Sequence, residues 1–323
     1  MPAREGTFLS GWAVDHPTAR LTNDELVDRF DTTHEWLEQR IGIVERRKLA
    51  PEVSAAQLAA PTAAAAIEHS GSGPSDVDLI IGAASFDDFG FPSLGARVGS
   101  HLGLSAHAFD VKAACTGWLV GLDVAESFLA TGKAERILVV ASEKSDLGID
   151  PTDRSSVPFF GDAAVAAVVQ AERPSRGLEV LAMHRRSEVS MHDAVEWPIG
   201  GWFQMDAGRT RRWVEDAIAR AAKELLDESG LVVGDLRALV CHQANLRLIQ
   251  RIAGDLGIEA DRHWHNVEWA GNTAAAGAPS ALFDGLAEHE HDLVDGDPIL
   301  MISVGSGLNV VGALLRWIDD PAT

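Results

Sequence analysis

Three residues break otherwise apolar segments of this chain in a way that suits chemistry: Cys115 in DVKAACTGW, His242 in ALVCHQAN and Asn272 in EWAGNTAAAGAP. An ionised cysteine is a nucleophile, and histidine and asparagine can supply proton or hydrogen-bonding partners beside it. Cys115 sits among Ala113, Ala114, Thr116 and Gly117, residues small enough for a substrate or a backbone to approach closely. Beyond them Leu119, Val120, Leu122, Val124, Ala125 and Phe128 recur every three to four positions, which predicts a helix with a broad apolar face. The cysteine then lies near a helix N-terminus, where free N–H groups and the helix dipole favour a thiolate. The expectation is a thiol pKa lowered by about one unit or more. The other cysteine, Cys241, closes an apolar run next to His242 and is expected to be buried.

The elements that must position these residues alternate. Val77–Ser85, Arg136–Ser145, Ala164–Gln170, Arg237–Gln243, Pro298–Gly307 and Asn309–Trp317 are short apolar runs that predict buried strands. Between them lie Ala-rich helical stretches, SAAQLAAPTAAAAIEHSG, RRWVEDAIARAAKELLDESG, NLRLIQRIAGDLG and PSALFDGLAEHE. Such alternation predicts α/β layers with sheets covered by helices. The two halves echo each other. Each has a strand ending in small or polar residues, a helix reached through an Ala/Gly-rich turn and a closing strand, with Cys115 and Asn272 in corresponding turns. The boundary falls at ERPSRG, dividing the chain into residues 1–172 and 173–323.

Composition narrows the function classes. The chain has 323 residues, 46% of them apolar, and a net charge of −21, which argues against nucleic-acid binding. Two cysteines cannot form a disulfide framework or a structural zinc site. No stretch of signal-peptide or membrane-spanning length stands out, so a cytoplasmic location is expected and no membrane partner. HWH (His263 to His265) and EHEHD (Glu288 to Asp292) have metal-like spacing but no converging third ligand, and are read as solvated loops; no metal is expected. One basic cluster stands against the acidic whole: Arg209, Arg211, Arg212 and Arg220, with Arg247 and Arg251 nearby in sequence. It is either a solvated helix face or a docking patch for an anionic partner.

The order Cys, His, Asn also occurs in papain-like proteases, but their C-G-S-C-W pattern and disulfides are missing here. Instead the segments THEWLEQRIGIVERR, FPS (Phe91 to Ser93), DVKAACTGW, DPTDRSSVPFFGDAAVA, CHQANLRLI, GNTAAAGAP and SVGSG resemble those of β-ketoacyl-ACP synthase III and its thiolase-superfamily relatives over nearly the whole chain. The resemblance implies a five-layered αβαβα fold built from two pseudo-repeated halves, a homodimer, and decarboxylative Claisen condensation by Cys115, His242 and Asn272. Cys115 would take an acyl group from a thioester, with the oxyanion held by the backbone N–H groups of Cys115 and Ser306. A malonyl thioester would then lose carbon dioxide, its enolate held by His242 and Asn272. An asparagine there cannot remove a proton, which favours carbon–carbon bond formation.

The same resemblance implies that coenzyme A thioesters are substrates, that there is no resident cofactor, and that an acyl carrier protein is a partner. Trp36 and Arg154 match the pair that sandwiches adenine; Thr32, Arg40, Asn245 and Arg247 match further contacts of the nucleotide and pantetheine tunnel. Phe91 matches a residue reaching into the partner subunit's acyl pocket, and Phe160 a wall beside the nucleophile. The chain also departs from the pattern. Arg211 in MDAGRTRRW replaces an aromatic near the tunnel mouth, and the preceding SEVSMHDAVEWPIGGWFQ is short and Trp-rich. The basic pair after HQAN is here Gly254 and Asp255, so carrier docking would rest on Arg209, Arg211, Arg212, Arg247 and Arg251. These departures point to a specialised pathway, such as polyketide or other secondary metabolism, rather than to housekeeping fatty-acid initiation, which the resemblance leaves as the other pathway. Two alternatives stand beside condensation: a cysteine-dependent acyltransferase of the same fold acting on an alcohol or amine, and a non-catalytic scaffold for acyl carriers.

Overall fold

The structure is a computed structural model that describes residues 6–320. Its first half runs β1 (Phe8–Asp15), β2 (Ala19–Thr22), α1 (Asn23–Arg29), α2 (His34–Arg40), β3 (Glu45–Lys48), α3 (Ala55–His69), β4 (Leu79–Ala83), α4 (Leu94–Leu102), β5 (His107–Val111), α5 (Gly117–Ala130), β6 (Arg136–Ser142) and β7 (Ala164–Gln170). The second runs β8 (Arg176–Ser187), β9 (Val195–Glu196), β10 (Gln204–Met205), α6 (Ala207–Ser229), β11 (Ala238–Cys241), α7 (Leu246–Asp255), β12 (His263–Trp264), α8 (Val267–Ala270), α9 (Ala274–His289), β13 (Pro298–Gly305) and β14 (Asn309–Asp319).

Ten strands are hydrogen-bonded in the order β12-β11-β13-β14-β8-β1-β7-β6-β4-β5. The order is two copies of one pattern, five strands each. In the first, β4 pairs parallel with β5 and β6, and β7 pairs antiparallel with β6 and β1. In the second, β11 pairs parallel with β12 and β13, and β14 pairs antiparallel with β13 and β8. The two sets of strands pair where Phe8 and Leu9 face Glu179 and Leu178. Parallel strands need both faces covered, and the helices supply this. Helices α5 and α9 fill a central apolar cluster with the inner faces of both five-stranded units, through residues such as Trp118, Leu122, Leu282 and Phe283. Helix α3 with Val98 of α4 covers the outer face of the first unit, and α6 with α7 covers that of the second. The five layers αβαβα follow.

The repeat also corrects one detail of the sequence reading. Each central helix is reached through a left-handed alanine, Ala114 at φ 47° and Ala274 at φ 43°. Superposing these pairs Cys115 with Ala275 and Gly117 with Gly277, so Asn272 lies three residues before the counterpart of Cys115. The two helix mouths abut: a Cβ on Gly117 would stand 3.4 Å from that of Ala275. A second difference concerns α9, which begins at Ala274 and contains Pro279, so the Ala/Gly stretch read as a turn is helical. Alanine is the best helix former, and only one hydrogen bond is lost at the proline.

HWH is not a solvated loop. His263 and Trp264 form β12 beside β11, and His263 is buried. Its ring centroid lies 4.9 Å from that of His265, which pairs with Glu268 instead. Among the described residues no group of three or more His, Cys, Asp or Glu side chains is placed to hold a metal ion, and no helix is long and apolar enough to cross a membrane.

Candidate active site

Cys115 lies in a single 3-10 turn, Ala114–Thr116, between β5 and α5. A left-handed non-glycine residue costs energy and persists only where its surroundings fix it, and here the surroundings do so on several sides. The Thr116 hydroxyl lies 2.7 Å from both Ala113 O and Asn309 Oδ1. Asn309 Nδ2 in turn donates to Ser306 O at 2.8 Å, tying the cysteine turn to the end of β13. The two come so close that a Cβ on Gly305 would stand 3.0 Å from Ala113 O and 3.2 Å from Thr116 N. Among the described residues neither the Cys115 N–H nor the Ser306 N–H meets a carbonyl acceptor.

His242 follows the last residue of β11, its N–H donating to Ile302 O at 2.7 Å. The adjacent Gln243 is a buried staple, donating to Cys241 O and accepting from the N–H groups of Asn266 and Val267. Asn272 is held by a strap: its N–H donates to Phe159 O at 2.7 Å and its carbonyl accepts from Gly161 N at 3.1 Å. Glycine is required there, since a Cβ on Gly161 would meet Ala270 O at 2.0 Å. Asn272 Oδ1 accepts from Ala274 N at 3.0 Å. The amide's donor end is thereby left for the cavity.

Cys115, His242 and Asn272 line one cavity of about 340 Å³. Phe160, Phe203 and Val195 make its apolar wall near the thiol, while Arg40, Arg211, Arg247 and Arg251 line it on the basic side. Phe86 packs edge-on to both Phe160 and Phe203 behind that wall. Ser306 lines the cavity as well.

The electrostatics depart from the sequence reading at the nucleophile. Burial, with the Glu143 carboxylate adding to it, pushes the Cys115 thiol up to about 12 rather than down. A helix terminus is worth at most about 1–2 kcal/mol to a charge, whereas burial can shift a pKa by about 3–5 units, so burial wins. The Cys241 thiol, at the end of β11, is also pushed up to about 12 by burial. Burial holds His242 at about 4, a neutral ring under ordinary conditions. Ser303 lies between the two: its hydroxyl donates to Cys115 O at 2.9 Å and stands 3.5 Å from His242 Nδ1. That second distance is too long to fix the ring's tautomer.

The remaining candidates divide. Arg40, Asn245 and Arg247 line the cavity, and Arg247 is clamped to Glu38 O through Nε and Nη2 at 3.1 and 2.8 Å. Asn245 caps α7, its Oδ1 accepting from Leu248 N at 2.9 Å. Trp36 is 41% exposed on α2, and Arg154 lies 3.6 Å from Asp31; both stand on the surface outside the cavity wall. Thr32 Oγ1 is buried without a hydrogen-bond partner among the described residues. Phe91 is 88% exposed. The arginine cluster is less open than its spacing suggested: Arg209 pairs with Asp193, while Arg211 and Arg251 share Glu215. Arg212 is exposed and lies outside the cavity wall. Ser303, Asn309, Glu143 and Ser85 went unnoticed in the sequence. Glu143 alone carried a signal, as a carboxylate directly after the apolar run RILVVAS.

Comparison with known proteins places the site in context. Residues 109–188 match the family described as 3-oxoacyl-[acyl-carrier-protein (ACP)] synthase III, and residues 226–317 match its C-terminal part. The β-ketoacyl-[acyl-carrier-protein] synthase III of Aquifex aeolicus is 34% identical over 313 residues, 97% of this chain and 100% of that protein. The crystal structure of 3-oxoacyl-(acyl carrier protein) synthase III from Pseudomonas aeruginosa superposes with a TM-score of 0.90 at 32% identity, covering 97% of this chain and 98% of that one. A priming β-ketosynthase from the R1128 polyketide biosynthetic pathway gives 0.88 at 32% identity, covering 99% of both chains.

Proposed function

This chain belongs to the 3-oxoacyl-[acyl-carrier-protein] synthase III family, and from that premise we propose how its residues divide the condensation. Cys115 carries the acyl group, and His242 with Asn272 holds the enolate of a malonyl thioester as carbon dioxide leaves. The observation that carries this reading is Asn272: its Oδ1 is tied to Ala274 N, so the group it offers the cavity is a donor, as a developing enolate oxygen needs. The neutral His242 ring supplies a second donor without acting as an acid. The N–H groups of Cys115 and Ser306 hold the oxyanion of the acyl-transfer steps. Since both substrates arrive as thioesters, the reaction calls for no redox change and no resident cofactor.

The acyl donor is a coenzyme A thioester, its nucleotide lying over Trp36, Arg154 and Thr32 and its pantetheine passing Arg40, Asn245 and Arg247. The aromatic wall of Phe160 and Phe203, backed by Phe86, suits a short acyl chain. The extender arrives on an acyl carrier protein. A second copy of this chain completes the enzyme: among the described residues β5 is an edge strand whose outer side is unpaired, and Phe91 exposes a large aromatic ring that a partner's acyl pocket would cover. An acidic, disulfide-free chain of this family works in the cytosol.

Intact-protein mass spectrometry after incubation with a panel of acyl-CoAs tests the loading step. A single acyl adduct mapping to Cys115 is expected; an adduct on Cys241, or none with any donor, contradicts it.

The state of His242 makes a further prediction. Because burial keeps the ring neutral down to about pH 4, malonyl decarboxylation should show no inflection between about pH 5.5 and 7.5. A pH–rate profile breaking near 6.5 would show a solvated, titrating histidine instead.

Carrier recognition makes another. An acidic carrier approaching a chain of net charge −21 depends on local basic residues, and salt screens the attraction. Arg212→Glu should raise KM for a carrier-bound malonyl substrate about tenfold, and that for a small thioester mimic far less. Arg211→Glu should raise both, because Arg211 also lines the cavity. Equal effects of Arg212→Glu on the two substrates would remove it from docking.

A further inference from the structure

The proposed reaction leaves one proton unaccounted for, that of the Cys115 thiol, and resting on that reading we propose that the buried carboxyl of Glu143, reached through the Ser85 hydroxyl, stores it between the two half-reactions. Glu143 follows β6, is fully buried and does not line the cavity. Its carboxyl accepts four contacts from three backbone donors: Ser85 N at 2.8 and 3.1 Å, Phe86 N at 2.8 Å and Ala275 N at 2.9 Å. Ala275 is the pseudo-repeat counterpart of Cys115, so this cradle sits where the two central helices begin.

No cation pairs with Glu143 among the described residues. Lys144, next in sequence, turns away to Asp88 and to the carbonyls of Pro51 and Val53. Asp162, across from it, is engaged by Ser145, Leu49 N and Lys48. The titratable group that faces Glu143 is Cys115. Ser85, whose N–H already donates to Glu143, favours the ionised form of both the thiol and the carboxyl, and its hydroxyl is buried without a hydrogen-bond partner among the described residues. Burial raises the Glu143 carboxyl to about 8, so the ionised fraction that can take up the thiol's proton grows as the pH rises through that value.

The cycle balances. Ser85 passes its proton to the Glu143 carboxylate and receives that of the thiol; the sulfur forms its bond to the acyl carbon, and the coenzyme A thiolate leaves and takes a proton from solvent. In the second half-reaction the enolate carbon bonds to the acyl carbon, the carbon–sulfur bond breaks, and the Cys115 thiolate recovers its proton from Glu143 through Ser85. While the acyl group is in place the carboxyl is neutral, so no uncompensated charge lies under the thioester.

The test is rapid-quench acylation of Cys115 by an acyl-CoA between pH 6 and 9.5, read by intact mass, beside malonyl decarboxylation by the same proteins. Ser85→Ala keeps the backbone cradle and should slow acylation about tenfold or more relative to any change in decarboxylation. Glu143→Gln should do the same and abolish the inflection near pH 8 that the wild type is expected to show. Should Glu143→Gln fail to fold, Ser85→Ala decides alone. Acylation by Ser85→Ala at the wild-type rate and pH profile, or equal losses in both reactions, overturns the relay. Wild-type protein that accepts no acyl group at all would instead overturn the condensing reading itself.

Discussion

Cys115→Ala is expected to abolish acylation by every acyl-CoA while malonyl decarboxylation stays within about tenfold of wild type. The reason is the order of bond changes proposed above, in which carbon dioxide leaves the malonyl unit with the help of His242 and Asn272 and the thiol takes no part until the enolate attacks. The cysteine turn also has little need of the sulfur for its shape. It is fixed by Thr116, Asn309 and the approach of Gly305, and the Ser303 contact reaches the Cys115 backbone rather than its side chain. Mass spectrometry for the adduct and carbon dioxide release from labelled malonyl thioester check the two halves in one preparation. Loss of both together would mean that the sulfur shapes the cavity.

Asn272→Asp should have the reverse profile, with decarboxylation reduced about a hundredfold or more and acyl-enzyme formation largely kept. The aspartate can still accept from Ala274 N, so the strap through Phe159 and Gly161 has no reason to move. It has no N–H to offer the cavity, and its negative charge opposes the enolate. An Asn272→Asp protein that decarboxylates at the wild-type rate would show that the amide's donor end is not used. One that gains acyl transfer to water or an alcohol would show that His242, beside a carboxylate, has become a base.

What the sequence carried and what it did not can be traced to particular residues. Cys115, His242 and Asn272 were legible because each interrupts a strongly apolar or small-residue run at the end of an element, and the structure brings all three to one cavity. The strand Ala164–Gln170 and the helix Ala55–His69 were legible for the same reason, as uniform apolar periodicity. The long strand Arg176–Ser187 was not: Glu179, His184, Arg185 and Arg186 dilute its pattern, and only the ladder with β14 defines it. The thiol's direction of shift was misjudged because a sequence shows a helix terminus but not how much water reaches it. Likewise the spacing of the arginines was visible, whereas the pairing of Arg209 with Asp193 depends on how the 189–205 segment folds over α6, and that of Arg251 with Glu215 on how α7 packs beside α6. Glu143 and Ser85, 58 residues apart, become neighbours of the nucleophile only through the parallel pairing of β4 and β6.

The central claim is that an acyl group on Cys115 leaves by forming a carbon–carbon bond. The most direct measurement isolates the acyl-enzyme, adds a labelled malonyl-carrier, and follows the mass of the enzyme, the mass of the carrier and the label together. The account predicts that the adduct disappears from Cys115, one carbon dioxide is released for each acyl group lost, and the carrier gains the mass of a β-ketoacyl chain. An adduct that passes to water, an alcohol or an amine, with no carbon dioxide released, would contradict it.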